Sequence, residues 1–184
     1  MEDKGGVVEL STAGAASPPK FLRTRMTDTD YIGEYAVLAK TLGGAPEITY
    51  AADLRIMSRP AAGAISVHKL YEVQTTWALS ISVSPQGERL DEEYRGPNGY
   101  ATHAVPLSKK FPVGQWVHVE MYAQIGLASA RSWVKFDGVT VATKLLVANP
   151  GVSQQVRAVA GHNRLESGAV GAVIDVDNVD VLVE

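Results

Sequence analysis

Glu47-Ile48-Thr49-Tyr50-Ala51-Ala52-Asp53-Leu54-Arg55-Ile56-Met57 alternates between two kinds of side chain without a break. Ile48, Tyr50, Ala52, Leu54 and Ile56 fall on one parity, and Thr49, Ala51, Asp53, Arg55 and Met57 on the other. A period of two is the signature of a strand with one buried face, because successive side chains of an extended backbone point to opposite sides. The same reading extends outward along the chain. In residues 77–83, Trp77, Leu79, Ile81 and Val83 oppose Ala78, Ser80 and Ser82. In residues 116–125, Val117, Val119, Met121, Ala123 and Ile125 are expected inward, with His118, Glu120, Tyr122 and Gln124 outward. Trp116, which opens that run, is expected to cover one end of the core.

Two strand-like runs, residues 131–136 and 139–144, flank Asp137-Gly138, a dipeptide that accepts the positive φ angles of a two-residue hairpin turn. The final run, residues 169–183, alternates Val170, Ala172, Ile174 and Val176, then resumes on the other parity with Val179, Val181 and Val183. One extra residue flips every later side chain, so a bulge or bend is expected at Asp177-Asn178. Weaker strands are read at 7–10, 20–26, 64–71, 90–94 and 156–160, and the ambiguous stretch 33–42 is read as a strand too. Turn-forming clusters separate them at 17–19, 59–60, 96–99 and 149–151. Many short strands with almost no helical period predict an all-β, two-sheet antiparallel sandwich occupying residues 1–184 as a single domain.

Composition removes several function classes. Seventeen basic and 20 acidic residues leave a net charge of -3, which is neither a nucleic-acid footprint nor a polybasic membrane patch. No stretch is long and apolar enough to span a bilayer. With no cysteine there is no disulfide framework and no Cys-ligated zinc. His68, His103, His118 and His162 lack short-range metal spacing, and neither a phosphate-binding glycine loop nor a Gly-x-Ser-x-Gly elbow occurs. The opening residues have neither the basic nor the apolar region of a signal peptide. A strand beginning near residue 7 nevertheless fits a fragment or processed form, for which an extracellular or envelope location is expected.

Gly114-Gln115-Trp116-Val117-His118-Val119-Glu120, then Val134-Lys135-Phe136-Asp137-Gly138, then Ile174-Asp175-Val176-Asp177-Asn178-Val179 occur in that order. This succession resembles the concanavalin A-like, laminin-G-like jelly rolls, in which a G-x-W-x-x-V strand, a V-x-x-D-G hairpin and a closing D-N-V strand recur. The resemblance implies a jelly roll, a scaffold that hosts lectins, hydrolases, lyases and adhesion modules alike. Hydrolases of that group carry a Glu-x-Asp-x-x-Glu strand. Residues 88–94, Glu88-Arg89-Leu90-Asp91-Glu92-Glu93-Tyr94, do not match its spacing, and Asp91 and Glu93 with Arg89 and Arg95 read as a charge ladder. Lyases of the group place Arg, Gln, His and Tyr on a concave sheet, and the longer lyase motifs are missing.

The function expected is a non-catalytic glycan-binding or adhesion-type module. A polysaccharide lyase or glycoside hydrolase is the alternative from another class, and a structural domain with a protein partner is the third. If the strands at 47–57 and 116–125 belong to one sheet, Asp53, Arg55, His118, Glu120, Tyr122 and Gln124 form a polar face with a tyrosine for stacking on a sugar. A structural calcium is expected at Asp175, Asp177 and Asn178, with Asp180 nearby, where oxygen ligands concentrate.

Overall fold

The structure is a computed structural model describing residues 6–17, 21–26, 38–43, 46–73, 77–126, 130–148, 155–165, 169 and 171–184. Among these residues there are thirteen strands and no helix. They are β1 (Gly6–Ser11), β2 (Phe21–Met26), β3 (Leu38–Leu42), β4 (Glu47–Ser58), β5 (Ile65–Glu72), β6 (Trp77–Val83) and β7 (Glu88–Gly96). Then come β8 (Gly99–Pro106), β9 (Trp116–Gln124), β10 (Arg131–Phe136), β11 (Val139–Leu145), β12 (Val156–Leu165) and β13 (Val173–Val183). The expected strand over 33–42 is present from Leu38 onward. Residues 33–37, the tips of the 17–19 turn at Pro18-Pro19 and the 149–151 turn lie outside the described residues.

Two antiparallel sheets form the expected sandwich: a seven-stranded one ordered β1-β2-β13-β4-β9-β10-β11 and a six-stranded one ordered β3-β12-β5-β6-β7-β8. The alternation of β4 is obeyed residue by residue, with Ile48, Tyr50, Ala52, Leu54 and Ile56 fully buried. They pack with Val117, Val119, Met121 and Ala123 of β9 against Ile65, Leu70, Leu79, Ile81 and Leu90 of the facing sheet, in one continuous core. That burial, at about 25 cal/mol per Å² of apolar surface, drives the two sheets together.

The local expectations at turns hold for physical reasons. Asp137 and Gly138 have φ of 50° and 77°, and Phe136 pairs with Val139 across them, so both central residues sit in the left-handed region that this hairpin requires. In β13 the register against β4 slips between Asp177 and Asp180, with Asn178 at φ 46°, which is the expected bulge.

Two features differ from the expectation. β8 was absent from the sequence reading: it is an edge strand exposed along both faces, so no apolar parity marks it. Trp116 does not cover the core. It stands on the outer face of the seven-stranded sheet, where its ring meets Phe21 edge-on at 5.6 Å and lies 4.5 Å from the Arg55 guanidinium. Its parity is that of His118, opposite to Val117, which fixes the side it must face.

Candidate functional site

The outer face of the seven-stranded sheet carries all six residues of the expected polar face. β4 pairs with β9 so that Asp53 lies opposite His118, Ala51 opposite Glu120, Thr49 opposite Tyr122 and Glu47 opposite Gln124. Alternation therefore brought them to one surface, as reasoned. Several are tied to one another. His118 Nδ1 donates to Asp53 Oδ1 at 2.7 Å, Asn178 Nδ2 donates to Asp53 Oδ2 at 2.6 Å, and Gln124 Nε2 donates to Glu47 at 3.2 Å. Tyr122 stacks on Trp133 at 5.3 Å between ring centroids, and Glu120 neighbours Lys135 across β9 and β10. Burial, reinforced by a hydrogen bond to Glu47, raises the Tyr122 hydroxyl pKa above its usual value.

The expected calcium ligands are engaged in the same way. Asp175 is fully buried although it points outward, because Arg23 Nε and Nη2 donate to its two oxygens at 2.6 and 2.9 Å and Arg55 Nε donates to Oδ2 at 2.8 Å. Phe21 and Trp116 cover the two guanidiniums. Asp177 accepts from the Ser17 and Asn178 backbone amides, and the Asn178 side-chain oxygen accepts from the Ser17 hydroxyl at 2.6 Å while its nitrogen donates to Asp53. A carboxylate neutralised by two arginines has no charge to offer a cation, and no group of three His, Cys, Asp or Glu among the described residues is placed to hold a metal. The donor set does not fit calcium.

The outer face of the six-stranded sheet is built differently. Cross-strand pairing aligns Arg157, Tyr71, Ala78 and Glu93 in one row, and Val159, Lys69, Ser80 and Asp91 in the next. Ser66, Ser82 and Arg89 make a third. Small side chains on β6 thus form a floor between longer ones on β5 and β7. Arg157 Nη1 donates to the Tyr71 hydroxyl at 3.3 Å, and the Lys69 ammonium lies 5.2 Å from the Tyr71 ring centroid. Arg89 pairs with Asp91 at 3.3 Å, which is part of the expected charge ladder. The other parity of β7 turns inward: Glu88 meets Arg59, and Glu92 meets Lys144, Trp77 and the amides of Val147 and Ala148.

The two faces differ in hydrogen-bond satisfaction. Among the described residues, the outward-pointing side-chain atoms that are buried without a partner lie on the six-stranded sheet, Asp91 Oδ1 and Arg157 Nε among them. Such atoms cost about 1–3 kcal/mol each when left unmet, and a ligand is one way to meet them. Sequence reading set the β6 serines apart from its apolar parity but did not assemble this face, because β5, which carries Lys69 and Tyr71, is buried on both sides. A strand covered on both faces loses the parity by which an outward residue is recognised.

No family model and no curated protein matches the chain. Solved structures do. An endo-β-1,4-glucuronan lyase from Trichoderma reesei superposes with a TM-score of 0.72 at 14% identity, covering 100% of this chain and 90% of its own. The cellulose induced protein Cip1 follows at 0.66 and 12% identity, over 98% and 87%. The galectin LEC-6 of Caenorhabditis elegans reaches 0.50 at 10% identity, over 83% and 94%. The fold is a jelly roll. Identities this low establish the jelly roll as an architecture, and the chemistry on its two faces has to be argued from the residues themselves. No helix of this jelly roll is long and apolar enough to cross a membrane among the described residues.

Proposed function

We propose that this jelly roll binds an acidic polysaccharide strand across the outer face of its six-stranded sheet. The observation that carries the reading is the pair of buried, unmet polar atoms, Asp91 Oδ1 and Arg157 Nε, on a face floored by Ala78, Ser80 and Ser82. On the β5 and β12 side, Lys69 and Arg157 supply two cations beside Tyr71, suited to a sugar carboxylate, with the phenol ring as an apolar surface for the pyranose. Asp91 and the serines suit hydroxyls. That jelly rolls of this shape include a glucuronan lyase and a galectin supports a glycan as the ligand class.

One observation favours a lyase as the second reading. Tyr71 lies between a guanidinium that hydrogen-bonds its oxygen and an ammonium at its ring, which sets a phenol hydroxyl beside the two cations suited to a sugar carboxylate. In a β-elimination, a base takes the proton next to the sugar carboxylate, a C=C bond forms, and the glycosidic C–O bond breaks with protonation of the leaving oxygen.

Affinity electrophoresis in gels containing glucuronan or alginate tests both readings. Retardation that Arg157→Ala weakens about tenfold, in line with loss of a charge-assisted hydrogen bond, supports binding. A rise in ultraviolet absorbance from the new double bond, abolished in Tyr71→Phe, selects the lyase. Migration unaffected by every acidic polysaccharide refutes the proposal.

A further inference from the structure

The opposite sheet carries a second feature that the acidic-glycan reading leaves unused. On its outer face, Tyr122, Arg131, Trp133, Thr143 and Leu145 line an open pocket of about 690 Å³, floored by β10 and β11 at Ser132 and Lys144. This is within the range of about 300–1,000 Å³ common for small-molecule sites. Cross-strand pairing explains its form. Tyr122, Trp133 and Thr143 stand in one row and Arg131 and Leu145 in the next, so a large aromatic pair rises beside non-aromatic side chains.

The rings are held in place. Tyr122 and Trp133 are nearly parallel, 8° between planes, and the Lys135 ammonium lies 4.2 Å from the Trp133 ring centroid. Glu47 anchors the Tyr122 hydroxyl. Two aromatic rings already immobilised lose little entropy on binding, which is what a stacking platform needs.

The geometry points to a neutral, β-linked pyranose oligosaccharide as the ligand of this pocket. A pyranose with equatorial hydroxyls presents C–H groups on its ring faces, which pack on aromatic planes, while its rim needs hydrogen-bond partners. Arg131 and Thr143 supply those at the pocket edge. Charge argues against an acidic sugar: Arg131 and Lys135 are balanced locally by Glu47, Glu120 and Glu184, of which Glu47 and Glu184 both act on Tyr122. The pocket is on the sheet opposite Arg157 and Tyr71, so the two sites bind different sugars independently.

Cellohexaose is the probe, titrated at millimolar concentration into isotope-labelled protein while the indole N–H signal of Trp133 is followed by NMR. The signal is expected to move saturably. Trp133→Ala should weaken binding about tenfold, the equivalent of one lost aromatic contact, as read by calorimetry. Thr143→Arg, at an exposed position, should block the pocket while leaving the platform and the fold in place, and Arg157→Ala should leave cellohexaose affinity within about twofold. An immobile Trp133 signal, unchanged affinity in both pocket variants, or a response to glucuronan in place of cellohexaose each overturns the proposal.

Discussion

Replacing Asp175 by alanine should be the most damaging single change on the outer surface of the seven-stranded sheet. The carboxylate is fully buried and receives three hydrogen bonds of 2.6, 2.9 and 2.8 Å from Arg23 and Arg55. Its removal leaves two guanidiniums close together under Phe21 and Trp116, with the carboxylate they share gone and Glu9, opposite Arg23 on β1, as the remaining acid acting on Arg23. Breaking a buried pair by deleting one partner costs about 3–5 kcal/mol. Arg23 is a quarter exposed and can turn to water, which favours the lower end. For a chain of this length each kcal/mol shifts the melting point by about 2–4 °C, so a fall of roughly 6–12 °C is expected at a cost of 3 kcal/mol. Thermal and urea unfolding followed by circular dichroism measure it, with an unchanged urea slope as the sign that only stability has moved. A loss below about 1 kcal/mol would refute the assignment of Asp175 as the keystone of an arginine pair. So would a melting point of the parent protein that rises in millimolar calcium and falls in chelator, since a calcium-loaded Asp175 could not also neutralise both arginines.

Two further outcomes follow from the interior and the hairpin. Burial lowers the pKa of both His68 and His162 to about 4, so each is neutral when folded but protonates near pH 6.5 when unfolded. Stability should therefore be complete above pH 6.5 and fall as the pH drops from there toward 4, by an amount on the order of 3 kcal/mol per histidine. His68→Gln or His162→Gln should flatten that fall in urea titrations across the same window, and an equally steep fall would count against the histidines as its cause. Gly138→Val should cost about 1 kcal/mol or more through strain alone, because a Cβ there meets nothing within 4 Å but the backbone stands at φ 77°. An unaltered melting point would show that the turn tolerates a branched side chain.

Where a strand has one wet and one dry face, its parity was legible in the sequence: β4 was read correctly along its length and β9 from Val117 onward, Trp116 being the exception. From that parity came the grouping of Asp53, Arg55, His118, Glu120, Tyr122 and Gln124 on one surface. What parity cannot report is the partner of each side chain. Arg23 lies 152 residues from Asp175, and only the adjacency of β2 and β13 makes them a pair. Tyr71 and Arg157 are likewise 86 residues apart and meet across β5 and β12. The β6 serines were recognised as an outward set, but their near-complete burial depends on neighbours from other strands. The turns were legible because their chemistry is local: Asp137-Gly138 and Asp177-Asn178 owe their conformations to their own backbone preferences.

The two inward carboxylates of β7 have a consequence for how the molecule comes apart. Glu88 ends on Arg59 and the Phe111 amide, and Glu92 on Lys144 and the amides of Val147 and Ala148. Arg59 follows β4 and Lys144 lies in β11, so each carboxylate, rooted in the six-stranded sheet, fastens a segment that belongs to the other. Neither sheet can peel away or slide without stranding buried charge, and the connecting loops that receive those bonds move with the sheets. The sandwich is thus riveted at two places, and drawing the sheets apart there has to break the pairs of Glu88 with Arg59 and of Glu92 with Lys144 as well as the apolar contacts.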